Sequence, residues 1–377
     1  MPNLLDKQSS SSNELKIIQN ENENLLNIKK VSNEKLDIKD KIKNFPYFNE
    51  NFELLEKIGS GGESEVFKMN HKTIKKEFAL KHIINDKKGK KRPHINELKI
   101  ASKLKNSNII KFHGYFNFKE NNSEFMVLEN AKYGNLRDFQ KKVLKLNCFS
   151  ESMLCFFANQ ILNGLYHCHK CKIAHMDIKP QNIVIDEYLN AKLIDFSVSI
   201  DYNGKKPNDK IKLPFKGTNF YMPSEIINSD IIQYKDINKI DSYAFGVLLF
   251  RLAFGYFPFK LEYGDEDNYN IINEKINSEF EIKNDIKFSS YFIDFISKLL
   301  RNNINKRMGI YEALHHPWIK GAKIILDEKE NINNANIFII KLITDNIKDF
   351  NDYLKQWIKM KTIYNFIINF YLISFSN

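Results

Sequence analysis

His175-Met176-Asp177-Ile178-Lys179-Pro180-Gln181-Asn182 is the stretch that decides the fold, and after a short hairpin it is followed by Ile194-Asp195-Phe196-Ser197. An acid, a lysine and an amide are crowded together, and a second acid follows beside an aromatic ring. Phosphoryl transfer makes this demand on a protein. One carboxylate orients the attacking hydroxyl, a lysine helps neutralise the moving group, and an amide with a second carboxylate holds metal ions.

Upstream, Phe52 to Ile58 reads as a strand that breaks into Gly59-Ser60-Gly61-Gly62-Glu63-Ser64-Glu65-Val66, a glycine turn with a returning strand. Glycines let backbone N–H groups approach a phosphate with no Cβ in the way. A third strand, Phe78 to Ile83, carries Lys81, and a helix from Ile95 to Leu104 carries Glu97. Strands are expected around Ile109–Tyr115 and Glu124–Leu128, and a helical rhythm runs from Met153 to His167 into the opening stretch. Further on come Asp241-Ser242-Tyr243-Ala244-Phe245-Gly246, Arg307 and His316-Pro317-Trp318-Ile319.

In this order and spacing the motifs resemble the eukaryotic protein kinases, from about Phe52 to Lys320. The resemblance implies an α+β, bilobal protein kinase fold: a small antiparallel β lobe with one main helix, and a larger, mostly helical lobe. It implies a domain over 51–320, divided into 51–130 and 131–320, between an N-terminal extension (1–50) and a C-terminal one (321–377). Carried over residue by residue, Asp177 is the catalytic base or hydroxyl-orienting carboxylate, and Lys179 contacts the γ-phosphate. Asn182 and Asp195 hold Mg2+, with Mn2+ as an alternative. ATP is placed by Lys81 with Glu97 and by Gly59 and Gly61, with Val66 and Ala79 over the adenine and Glu129 and Ala131 at the hinge. Ile58 and Val184 complete the cofactor-binding set. Lys179-Pro180 and Gly217-Thr218 resemble the serine/threonine branch, so the implied substrates are protein hydroxyls.

Several positions depart from the family pattern. Ser64 stands where the third glycine of the loop belongs, and Ser197 where the metal-binding motif has glycine. Pro223-Ser224-Glu225 replaces Ala-Pro-Glu, keeping Glu225 to pair with Arg307. Met176 replaces the arginine that pairs with a phosphate on the activation segment, and 201–217 holds Tyr202 but no serine or threonine. Clamp and acceptor are thus both missing, which predicts activity without activation-loop phosphorylation. Asn135 and Gln181 are neutral where kinases of basic peptides place acids, while Lys205, Lys206, Lys210, Lys212 and Lys216 crowd the activation segment, suggesting tolerance of, or preference for, acidic residues near the target hydroxyl. The alternative reading is a pseudokinase, a nucleotide-binding scaffold.

The net charge of +11 reads mainly as a diffuse solvated surface, and no nucleic-acid partner is expected. Four cysteines (Cys148, Cys155, Cys168, Cys171) are too few and too clustered for a secreted disulfide framework, and Cys168-His169-Lys170-Cys171 lacks a second pair for a metal. The first residues show no apolar leader, and the most apolar stretch, Thr362–Phe375, is too short to span a bilayer. A soluble, cytoplasmic monomer is expected, with a nuclear or peripheral-membrane location left open. Residues before about Phe45 read as disordered, and 336–361 as an amphipathic helix that docks on its own domain or meets a partner or membrane surface.

Overall fold

The computed structural model describes residues 46–60, 64–83, 94–118, 123–213, 219–229, 231–259 and 288–320. The sequence-based expectations for the N-terminal extension before Pro46, for Gly61, for Lys216, for Gly217-Thr218 and for 336–361 lie outside these residues. The chain divides into two compact units: residues up to His94 with Lys111–Asn130, and Ile95–Ile110 with Ala131 onward.

In the first unit, helix α1 (Pro46–Asn51) leads into β1 (Phe52–Ser60), β2 (Ser64–His71), β3 (Lys76–Ile83), β4 (Phe112–Phe118) and β5 (Ser123–Glu129). They form one sheet, in the order β1-β2-β3-β5-β4, in which every pairing is antiparallel. Side chains alternate across a strand, so Phe67 and Met69, Phe78 and Leu80, and Phe125 and Val127 share one face. That face is the unit's core, and Phe48 of α1 closes it beside Phe52, with ring centroids 5.2 Å apart. Each such buried side chain stabilises the sheet by about 1.5–3 kcal/mol. Helix α1, which begins just before the domain start expected at residue 51, thus packs on this sheet.

The second unit holds helix α2 (His94–Lys103, apart from its first residue), α3 (Glu151–Lys170), the short strands β6 (Ile173–Ala174), β7 (Ile183–Ile185), β8 (Ala191–Leu193), β9 (Ile200–Asp201) and β10 (Lys210–Lys212), helix α4 (Ser224–Ser229), strand β11 (Ile231–Gln233), and helices α5 (Asn238–Phe254), α6 (Ser290–Leu299) and α7 (Ile310–Leu314). Ser150 and Ser289 cap α3 and α6 by accepting the amides of Met153 and Phe292. Helix α5 is apolar around nearly its whole circumference, the mark of a central helix, and packs against α3, α6 and α7. It stops at Gly255, whose left-handed φ of 79° returns its amide to the Arg251 carbonyl.

Two differences from the expected layout matter for the site. Residues 95–110, expected with the small lobe, group with the second unit. Ile109, expected to begin a strand of the first sheet, instead bridges Leu193 in parallel, with Ile110 N donating to Leu193 O at 3.0 Å.

Gly164 of α3 allows this join. A Cβ there would lie 2.7 Å from the Asn108 carbonyl oxygen, which already accepts the Leu193 amide at 2.9 Å. Gly164→Ala must push backbone away, and urea denaturation should show a loss of about 1–3 kcal/mol. An unchanged midpoint would contradict this packing.

Candidate active site

The loop between β6 and β7 hangs from one buried carboxylate. Asp241, on the first turn of α5, is fully buried. Its Oδ2 accepts the His175 amide and its Oδ1 the Met176 amide, both at 2.8 Å, and His169 Nε2 lies 2.8 Å from Oδ2. Two successive amides reach one carboxylate because Met176 takes a left-handed φ of 71°, a conformation unfavourable for a non-glycine residue. Burial would raise the Asp241 carboxyl, but His169, the nearby His175 ring and the His175 amide hold it below its ordinary value.

His175 carries the connection onward. Its Nδ1 accepts the Asp177 amide at 3.3 Å, and its Nε2 lies 3.0 Å from the Ile194 carbonyl, so in the neutral ring Nε2 carries the proton. Ile194 N donates to Asn182 O at 3.0 Å, so the residue preceding Asp195 is tied at both backbone groups. Asp177, Lys179 and Asn182 converge: Asp177 Oδ2 is 2.7 Å from Lys179 Nζ and accepts Asn182 Nδ2 at 2.7 Å, and that amide also reaches Asp177 O at 2.8 Å. Asp195 follows with a left-handed φ of 64°. Val184 occupies the half-buried face of β7, opposite Ile183 and Ile185, and bridges Asn135. Ala131 begins the second stretch of this unit, and its carbonyl accepts the Gly134 amide. On α2, Glu97 is buried.

The first unit assembles its own set. Gly59 is opposite Val66, Val66 opposite Lys81, and Lys68 opposite Ala79, which puts Val66, Lys81 and Ala79 on the face away from the core. A Cβ on Gly59 would come no nearer than 3.6 Å to Val66, an ordinary contact, so nothing within the sheet requires glycine there. Ile58 is 47% exposed, and Glu129 ends β5 with its amide on the Lys111 carbonyl. Met126 sits directly opposite Lys81 and Leu128 opposite Ala79. Met126 was not among the residues expected at the site; only the strand register reveals it.

The match of a protein kinase domain model to residues 52–319 decides the family. The chain belongs to the protein kinase domain family. Its α+β architecture, a five-stranded antiparallel unit and a mainly helical one, is the two-lobed kinase fold. It is similar to a probable serine/threonine-protein kinase MARK-A of Dictyostelium discoideum (28% identical, over 85% of this chain and 28% of that protein). It is also similar to the serine/threonine-protein kinase pakH of the same organism (29% identical, 72% and 50%) and to calcium-dependent protein kinase 4 of Plasmodium berghei (28% identical, 80% and 55%). The chain thus spans about a quarter to a half of the length of these relatives.

In this kinase domain the position of the usual arginine is apolar in surroundings as well as in sequence. Met176 packs against a cluster of Ala174, Tyr202, Leu213, Met222, Ile226 and Ile232, joined by residues at the start of α5. The Tyr202 hydroxyl lies inside, donating to Asn238 Oδ1 at 2.9 Å and lying 3.3 Å from His169 O, and burial pushes its pKa up to about 12. Helix α2 is fastened to the start of the same segment: Asn96 Nδ2 donates to Ser199 O at 2.8 Å, and Lys103 Nζ is 2.5 Å from Asp201. Ser199 Oγ in turn donates to the His175 carbonyl at 2.9 Å. The expected Glu225–Arg307 pair is present and bidentate (2.6 and 3.0 Å), with Arg307 buried.

His169 was read only as part of a cysteine pair with no metal. Among the described residues no metal-ligating cluster occurs, Cys168 is buried with its thiol pushed well above the ordinary range, and all four cysteines are free. No helix among the described residues is long and apolar enough to cross a membrane.

Removing the anchor gives a pH-dependent test. Because the folded Asp241 pKa is depressed, its contribution is complete above the unfolded value, about 3.9, and disappears as pH falls through the folded one. Asp241→Asn should destabilise by about 3–5 kcal/mol at pH 7. The gap to wild type should narrow as pH falls below about 4. Denaturation curves would refute the account if the gap failed to narrow there.

Proposed function

We propose that the chain is an ATP- and Mg2+-dependent serine/threonine kinase that phosphorylates protein hydroxyls and needs no activation-loop phosphorylation. The observation that carries the reading is the convergence of Lys179 and Asn182 on one oxygen of Asp177, beside the backbone that presents Asp195. Among the described residues no side chain bonds Asp177 Oδ1, which leaves that oxygen to receive and orient the acceptor hydroxyl. Lys179, at the other oxygen, faces the charge that develops as the phosphoryl group moves. With the Asn182 amide nitrogen held by Asp177, its carbonyl oxygen and the Asp195 carboxylate are hard donors of the kind Mg2+ takes. Bound there, the metal would neutralise the phosphates of ATP. Lys81, Glu97, Gly59, Val66 and Ala79 would orient the nucleotide, with Ile58, Glu129, Ala131 and Val184 around it.

The serine/threonine assignment is supported by Lys179-Pro180 and by the names of the three relatives. Protein rather than small-molecule acceptors are supported by the Glu225–Arg307 pair, which braces the helix just after the peptide-facing segment. Independence from phosphorylation is supported by the apolar bed of Met176 and by Tyr202, whose buried hydroxyl offers no acceptor in this conformation.

With γ-labelled ATP, Mg2+ and a generic protein acceptor, wild type should transfer label and Asp195→Ala should fall to background. Phosphatase-treated wild type should keep its activity. Nucleotide binding without transfer would favour a scaffold instead, and collapse after phosphatase treatment would overturn the independence.

A further inference from the structure

The activation segment does more than close over the apolar cluster. Strands β10 and β11 pair as a ribbon in the register Lys210↔Gln233, Ile211↔Ile232 and Lys212↔Ile231. Ile211 packs into the cluster with Ile232, so alternation turns Lys210 and Lys212 to the outer face, where both are exposed. The turn before the ribbon adds exposed Lys205 and Lys206, and the bonds Lys235 N to Pro207 O (2.9 Å) and Tyr234 N to Asp209 O (3.1 Å) bring exposed Lys235 alongside.

Four of these cations, Lys205, Lys206, Lys210 and Lys235, have few internal partners. Two carboxylates of the segment are engaged elsewhere, Asp201 with Lys103 and Glu225 with Arg307. Among the described residues Asp209 and Asp236 are the acids left nearby, and Lys205, Lys206, Lys210 and Lys235 form no salt bridge there. The two positions whose acids would draw a basic peptide contribute none. Asn135 is occupied capping the turn Leu136–Asp138, its Oδ1 accepting Asp138 N and its Nδ2 donating to Asp138 Oδ2, and Gln181 is neutral. A fixed ribbon loses less entropy on docking than a free lysine-rich loop would.

We propose that the outer face of the β10–β11 ribbon, with Lys205, Lys206 and Lys235, docks acidic stretches of the protein substrate. The proposal rests on the kinase reading for its substrate, but docking can be measured without turnover.

Three serine peptides alike except for flanking acidic, neutral or basic residues would be compared on the full chain, by fluorescence anisotropy and by phosphorylation. Wild type should bind the acidic peptide at least about fivefold more tightly than the neutral one, a difference that shrinks in about 0.5 M salt. Lys206→Glu/Lys210→Glu, both at exposed positions, should remove that difference by raising KM while leaving kcat and the melting temperature unchanged. Equal binding of the three peptides, or an acidic preference that survives the double variant, would overturn the proposal. If the acidic peptide binds selectively but no peptide or protein acceptor is phosphorylated, docking stands and the kinase reading fails.

Discussion

A carboxylate with no access to water is tolerated only when its lone pairs are taken up, and Asp241 is held by three donors at once. It stands at the start of the most deeply buried helix, so the loop that hangs from it inherits the rigidity of the core. From there the positions follow as a series of bonds. Asp241 holds His175 and Met176, His175 holds Ile194, and Ile194 holds Asn182, which turns its amide to Asp177. The left-handed backbone at Met176 is the strain this arrangement carries, and Asp195 shares that conformation.

Around Met176, packing replaces charge. A guanidinium at position 176 would need an anion beside it; a thioether needs apolar neighbours, and Tyr202, Leu213, Met222 and Ile232 provide them. Such packing is present as soon as the chain folds. The ribbon that carries Ile211 into this cluster also presents lysines outward, so one alternating strand serves both the segment's stability and its surface charge. The contacts of Asn96 and Lys103 with Ser199 and Asp201 extend the same body to α2, which explains why that helix groups with the second unit.

Much of this was legible without coordinates, because the groups that handle phosphate lie close together in the chain. Asp177, Lys179 and Asn182 fall within one loop, and Lys81 was marked by its distance from the glycine turn. What could not be read was pairing over long separations. His169 and Asp241 are far apart in sequence, and nothing near either one announces the other. Ile109 has the β-branched character of a strand residue, yet it joins Leu193 instead of the five-stranded sheet, since propensity describes a fit to a pleated surface and not which surface. Helix α1 was missed because six residues are too few to show a periodicity.

The sequence alone determined the family, the types of side chain available for chemistry, and the absence of a hydroxyl acceptor other than Tyr202 between Asp201 and Gly217. These are properties of residue identity and short spacing, which survive in any conformation. Tertiary structure decided that Met126 faces Lys81, that the Tyr202 hydroxyl is sealed inside, and that Lys210 and Lys212 point outward while Ile211 points in. Those outcomes depend on strand register and burial, and both are set by which distant apolar side chains exclude water together.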